Sequence, residues 1–320
     1  MAIAISPERT APAASTLRTM LASPCHQSEL LPDDRWNPHS PKLRCAICGR
    51  EFHSRDGVYD FRLGASASTA AAGSFEAQWR RRQRGEFEHD TLYGANATED
   101  LEGMLRAFDI RAAALEGRWI LDAGCGIGRL GANLARLGAN VVSLDVTDAV
   151  RQIALGNRLT NSHYVQADLM HPPLRHRTFD YVWSAGVLHH TEAPRKAFDR
   201  LAALVSPGGN LAVWLYSAER FSPFLAARRI LPFAHRMPER AASALCLCLA
   251  LPLYLAGNAA PLFDRRRLPL TTVRFGLYDS LTPRYQSRHS EREVRAWFEA
   301  NGFVNVRKWS ELGLTGERSQ

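Results

Sequence analysis

A glycine-rich turn held between two short apolar runs constrains this chain more than any other feature. The stretch is "WILDAGCGIGRLGANLARLGANVVSLD", Trp119 to Asp145. Each apolar run has the length of a strand and ends at an acid, Asp122 or Asp145, and the residues between them have helical character. Strand, turn, helix and strand form the unit from which parallel sheets are built. The alternation continues to Tyr216, with strand candidates "WILDA", "NVVSLDV", "HYVQAD", "FDYVWSAG" and "NLAVWLY" separated by amphipathic stretches. The pattern predicts an α/β fold: a Rossmann-like, doubly wound, mostly parallel sheet with helices on both faces.

The turn itself reads Gly124-Cys125-Gly126-Ile127-Gly128-Arg129-Leu130. A dinucleotide fingerprint, G-x-G-x-x-G, requires its third glycine where this chain has Arg129. The glycines let backbone approach a ligand closely, and the start of the next helix favours an anionic group. Asp145, about twenty residues on, stands where a carboxylate accepts from ribose hydroxyls. Asp122 adds negative charge that opposes a pyrophosphate and suits a cation. A ligand with an anion and a cation close together and a ribose meets these demands: an amino-acid nucleoside rather than a dinucleotide. A purely structural turn is the alternative.

"LDAGCGIGRL" resembles the cofactor motif of class I S-adenosylmethionine (SAM)-dependent methyltransferases. Four further segments resemble that family in its own order: "VVSLD", "VQADL", "FDYVWSAGVLHHTEAP" and "LVSPGGNLAVWLY". "FDYVWSAGVLHHTEAP" resembles the fourth-strand motif of the branch that includes quinone-biosynthesis methyltransferases. Together they span close to a third of the chain. The resemblance implies SAM as cofactor. It implies that Gly124, Gly126 and Gly128 line the methionine part, that Asp122 holds the ammonium, and that Asp145 takes the ribose hydroxyls. It further implies that Asp168 and Leu169 meet the adenine edge, and that Ser184 and Ala185 floor the site near the sulfonium. Read alone, Asp168 is equally a turn or helix-capping residue.

Methyl transfer from a sulfonium asks the protein to position the acceptor and exclude water. A general base is needed only where the acceptor must lose a proton early. His189 and His190 follow the fourth strand, at the carboxyl edge where open α/β sheets bind ligands, and are the candidate bases; packing is the other reading. "WSAG" stands where amino-directed nucleic-acid methyltransferases usually carry an Asn/Asp-Pro-Pro-aromatic signature. That departure favours a small-molecule or lipid-like acceptor.

"RCAICGREF" supplies one zinc-type knuckle, Cys45-x-x-Cys48, and "SPCHQSEL" resembles a second that has lost its first cysteine. Cys25, Cys45 and Cys48 are candidate zinc ligands, with His26, His39 or His53 as the fourth; a ribbon without metal is the alternative. The six cysteines are not spaced as a secreted disulfide scaffold. With no basic start before an apolar core at the N-terminus, a cytoplasmic location is expected.

The expected organisation is a disordered N-terminus (1–19), a zinc-ribbon-like module (20–64), a low-complexity linker and basic arm (65–100), and the SAM-dependent domain (101–320) with a helical insertion at 217–270. Residues 241–263 carry no charge and have the length of a membrane span. Their position inside a domain whose last elements return to the same sheet favours an apolar cap, peripheral contact with a membrane face, or a buried core helix. "YDSLTPRYQSRHSEREVRAWF" resembles a C-terminal segment of the same branch, which implies that Tyr278, Asp279, Tyr285 and His289 line the acceptor; turn residues are the equal alternative, and Ser290 with Glu293 forms a capping box. After "VNVRKW" only "SELGLTGERSQ" remains, so a last antiparallel strand is expected to be short or missing.

The net charge is +8, from 40 Lys and Arg against 32 Asp and Glu, and "WRRRQR" (79–84), on a polar helix or arm, concentrates part of it; a solvated helix face is the plain reading of that run. This leaves two further readings. One is an RNA methyltransferase that grips RNA with the ribbon and the arginine run. The other is a scaffold that keeps the fold without catalysis.

Overall fold

The computed structural model describes residues 14–32, 41–64, 67–86, 91–92, 95–157, 159–219, 222–259 and 269–320. The first helix, α1 (Ala14–Met20), leads into strands β1 (Leu30–Pro32), β2 (Lys42–Cys45), β3 (Glu51–Arg55) and β4 (Val58–Asp60). Helix α2 (Ala67–Gln83), a ribbon of β5 (Thr91–Leu92) and β6 (Ala95–Asn96), and α3 (Ala97–Phe108) follow. The central repeat is β7 (Trp119–Ala123), α4 (Gly131–Arg136), β8 (Asn140–Asp145), α5 (Ala149–Gly156), β9 (Ser162–Gln166), β10 (Phe179–Ala185), α6 (Pro194–Leu204) and β11 (Val205–Trp214). The insertion holds α7 (Pro223–Ile230), α8 (Glu239–Ala259) and α9 (Leu270–Leu281). Then α10 (Glu291–Ala300), β12 (Phe303–Ser310) and β13 (Gly313–Arg318) close the chain.

One sheet of eleven strands runs β1-β2-β3-β4-β9-β8-β7-β10-β11-β13-β12. The five strands from β9 to β11 are parallel, as the sequence alternation predicts, and β13 lies antiparallel between β11 and β12. Neighbouring residues point to opposite faces of a strand, and the core divides accordingly. Leu121, Val142 and Val182 pack with Phe198 and Leu201 of α6 and Phe298 of α10. Ile120, Val141 and Trp183 pack with Met104 and Phe108 of α3 and Leu134 of α4. Strand order reverses between β7 and β10, which opens a crevice at their carboxyl ends.

Three expectations are corrected. Residues 14–20 are helical rather than disordered, because Leu17, Met20 and Leu21 pack into the main core; 1–13 lie outside the described residues. The "linker" from 67 onward is one helix, α2, in keeping with the high helix propensity of its alanines. The last antiparallel strand is present, six residues long, in the interior of the sheet. Its two glycines weaken the strand pattern in sequence, yet the packing requires them. A Cβ on Gly313 would fall 2.5 Å from the Trp309 ring, and one on Gly316 would fall 2.8 Å from Phe298.

The cysteine-bearing strands extend the main sheet. β4 pairs parallel with β9 (Tyr59 opposite Val165), and the Phe61 N–H donates to the Gln166 carbonyl at 2.8 Å. Leu43, Phe52 and Phe61 belong to the same buried cluster as Leu144 and Val165.

Candidate active site

The glycine turn leaves β7 at the crevice and is fastened to the end of β8. The N–H groups of Gly124 and Cys125 donate to the Leu144 carbonyl at 2.7 and 3.1 Å. The Gly126 N–H donates to Asp145 Oδ2 at 2.8 Å. The other carboxylate oxygen accepts the Thr147 N–H at 2.9 Å and its hydroxyl at 2.7 Å. Gly124, Gly126 and Gly128 have φ of 84°, 53° and 70°, in the left-handed region that side chains resist. Cβ atoms there would also collide with the side chains of Val187, Trp79 and Ile153.

Two buried acids stand beside the turn. Burial pushes Asp122 up to about 7, and the neighbouring charges of Asp145 and Asp100 push the same way. Burial also raises Asp145, opposed by the donors from Thr147 and Gly126. Asp168 follows β9 and accepts the Met170 N–H at 2.9 Å, so one of its oxygens holds a turn. Leu169 is buried in the main core. Ser184, at the end of β10, donates its hydroxyl to the Ala123 carbonyl at 3.1 Å and ties β10 to β7; Ala185 follows it, half-buried.

The two histidines part company. His189 is fully buried, lies parallel to the Tyr216 ring at 3.8 Å, and is held well below the ordinary range by burial and by His190 and His289. His190 Nδ1 lies 3.1 Å from the Tyr285 carbonyl, which places the proton on Nδ1 and leaves Nε2 facing Asp279, 4.0 Å away. Burial lowers it, with Asp279 opposing. Asp279 accepts the Tyr216 hydroxyl at 2.6 Å and the Gln78 amide at 3.0 Å. Tyr278 is buried under the Arg81 guanidinium, 5.3 Å from its ring, and burial raises its hydroxyl to about 12. His289 is occupied at the start of α10 by Glu293 and Ser287, at 2.9 and 2.8 Å.

Helix α2 joins these groups. Its Glu76 carboxylate accepts the Asp148 N–H at 2.8 Å, Trp79 lies against Gly126, and Phe75 stands edge-on to His190 with centroids 5.0 Å apart. A cavity of about 480 Å³ opens between α2, α9 and the segment entering α8, lined by Ala77, Arg236, Met237, Tyr278, Thr282 and Arg284. Sequence reading missed the α2 residues and Tyr216, because a helix crossing the sheet mouth has no spacing that marks it. The arginine run is likewise not a solvated arm. Arg81 and Arg82 are 7% and 1% exposed. Arg81 binds Glu239 at 3.1 Å and Glu86 at 3.2 Å, and also donates to Ser243.

At the far edge of the sheet, Cys25, His26, Cys45 and Cys48 converge, with all four donor atoms within 4.8 Å of one another. Cys25 Sγ lies 3.6 Å from Cys48 Sγ, and Cys45 Sγ lies 3.6 Å from His26 Nδ1. These separations suit a tetrahedral zinc ion with bonds of roughly 2.0–2.3 Å. Burial would raise Cys45, but hydrogen bonds from the Cys48 and Ile47 amides and the Ser23 and Ser28 hydroxyls outweigh it and bring the thiol down to about 5. His53 lies beside Glu51, at 3.8 Å, outside the cluster; His39 is outside the described residues.

Known proteins share the central segment. An uncharacterized methyltransferase of Mycobacterium tuberculosis is 43% identical over 96 residues, which is 29% of this chain and 48% of that protein. A malonyl-[acyl-carrier protein] O-methyltransferase of Enterobacter lignolyticus is 32% identical over 126 residues, 38% of this chain and 50% of that protein. The chain thus spans about half the length of these curated relatives. Among solved structures, the magnesium protoporphyrin IX methyltransferase of Synechocystis aligns over 79% of this chain and 100% of its own, with 19% identity and a TM-score of 0.45. Residues 121–213, from β7 through the glycine turn and both strand-end acids to β11, match the family described as methyltransferase domain.

Proposed function

We propose that this chain is a SAM-dependent methyltransferase acting on a small-molecule or lipid-like acceptor. One observation carries the reading: the glycine turn and the Asp145 carboxylate are locked together at 2.8 Å beside a reversal of strand order. In this reading Asp122 holds the ammonium, Asp145 the ribose hydroxyls, and Asp168 with Leu169 the adenine edge. The backbone of Gly124, Gly126 and Gly128 faces the methionine part, and Ser184 with Ala185 forms the floor. SAM supplies an activated methyl on sulfur. The chain's own residues then position the acceptor and exclude water: Trp79 and Phe75 roof the crevice, and Tyr216 and Gln78 fix Asp279. His190, neutral with its Nδ1 proton held by the Tyr285 carbonyl and Nε2 beside Asp279, is the base in this reading for an acceptor that must lose a proton; His189 supports it by packing.

We assign zinc to Cys25, His26, Cys45 and Cys48 as a structural ion remote from the chemistry, and place the protein in the cytoplasm with peripheral membrane contact through the insertion. The burial of Arg81 and Arg82 removes the main support for RNA binding. Asp145→Ala tests the central claim. It removes the acceptor for the Gly126 and Thr147 donors, and SAM binding by calorimetry should fall at least about a hundredfold. Undiminished affinity in the folded variant refutes the assignment.

A further inference from the structure

Helix α8 has two faces of different fate. Cys246 and Ala250 are buried with Val273, Leu277 and Leu281 in the core of the insertion, and Ala242, also buried, lines the neighbouring cavity. On the same side, Ser243 receives hydrogen bonds from Arg81 and from Arg274, the latter at 2.9 Å. The opposite face is exposed at Ala244, Leu247, Cys248, Leu251, Pro252, Leu255 and Ala256, the three- and four-residue spacing of one helical stripe. Leu247, Leu251 and Leu255 are 49%, 51% and 58% exposed. No polar side chain interrupts this stripe over more than three turns. A soluble surface scatters single apolar residues; a contiguous stripe marks an interaction site.

Charge around the stripe indicates what covers it. Arg240 continues the stripe toward the helix start, four residues before Ala244, and Arg236 lies in the short turn that precedes α8; both are exposed. Glu239, the acid at that end, is already bound to Arg81 at 3.1 Å and lies 3.8 Å from Arg80. Arg229 stands beside the exposed Ile230, and Phe233 and Met237 add apolar surface on the segment leading into α8. Apolar side chains with arginines at one end match a bilayer interface with acyl chains below and anionic headgroups at the rim.

The helix is long and apolar enough to cross a membrane by length and composition, but only 22% of that window is buried within the protein. Its other face is held by the protein and by two arginines. A spanning helix would strip those polar contacts of water on every side, whereas a helix lying in the interface keeps them. We propose that α8 lies in the plane of an anionic lipid surface, with Leu247, Leu251 and Leu255 immersed and Arg236 and Arg240 at the headgroups. This refines the membrane contact proposed above and stands independently of methyl transfer. Arg236 and Met237 also line the cavity beside Tyr278, so the lipid-facing segment borders that cavity.

Sedimentation of the full chain with phosphatidylcholine vesicles, with and without phosphatidylglycerol, tests this directly. Anionic vesicles should retain the protein about tenfold better than neutral ones, and Arg236→Gln with Arg240→Gln should erase the difference. Leu247→Ser, Leu251→Ser and Leu255→Ser together should abolish binding while the melting temperature holds, since all three side chains are at the surface. Failure to sediment with either vesicle, or binding that survives the triple substitution, overturns the proposal. So does a concentration-dependent dimer that the triple substitution makes monomeric, since a second copy would then be the occupant.

Discussion

Asp122 is 5% exposed, and burial, with two neighbouring acids, pushes its carboxyl up to about 7. An unfolded aspartate loses its proton near pH 4. The folded group keeps its proton through a window in which the unfolded one is charged. Its contribution to stability is therefore complete below about pH 4 and is lost as pH rises through about 7. An ammonium placed beside it reverses the preference. SAM binding at about pH 6.5 should then release protons, measured by calorimetry in two buffers of different ionisation enthalpy. Asp122→Asn should remove that release, weaken SAM about tenfold, and melt higher than the parent at about pH 8. Equal proton release in both proteins would detach Asp122 from the ligand. Asp122 and Asp145 were legible in the sequence because each ends an apolar run. The difference between His189 and His190 was not, since it depends on the Tyr285 carbonyl, some ninety residues away.

Helix α2 shows why composition misleads at the level of elements. "WRRRQR" has the charge of an arm, yet two of its guanidiniums are buried, and Arg81 connects α2 to Glu239 and Ser243 of α8. Its partners lie about 160 residues downstream, beyond any local pattern. Arg81→Ala should destabilise the protein by about 1–3 kcal/mol in urea unfolding, through loss of a largely buried charge-assisted network. A change below about 0.5 kcal/mol would mean that the network is incidental. The same residues explain how the cap is positioned. α2 touches the glycine turn through Trp79 and Asp279 through Gln78, so movement of the insertion is felt at both halves of the crevice. The central strands were legible because buried parallel strands form continuous apolar runs. β13 was not, because its glycines answer to Phe298 and Trp309 rather than to strand propensity.

At the scale of the whole molecule, the metal-type cluster and the crevice share one sheet. Cys45 sits in the same buried cluster as Leu144 and Val165, so disturbance of the knuckle reaches the strand that ends in Asp145. Purified protein should carry about one zinc per chain. Chelation, or Cys45→Ser, should lower a single melting transition by about 5–10 °C rather than melt a separate small unit. A zinc content near zero, or an unchanged transition after chelation, would leave the cluster as a set of packed thiols. The cluster of Cys25, His26, Cys45 and Cys48 was legible in the sequence from its cysteine spacing; the fusion of these strands to the main sheet was not, because strand pairing between β4 and β9 leaves no periodic trace.

That pairing has a practical consequence for anyone shortening the chain. β4 occupies the flank of β9, and residues 20–22 cover the loop after it, with Leu21 bridged to Leu174 and the Ala22 N–H bound to the Pro173 carbonyl at 3.0 Å. A fragment begun after residue 64 would keep every motif of the crevice but present β9 as a bare, apolar-flanked rim, open to pairing with its own copies. The cysteine-bearing segment thus serves the rest of the molecule as a guard against self-association.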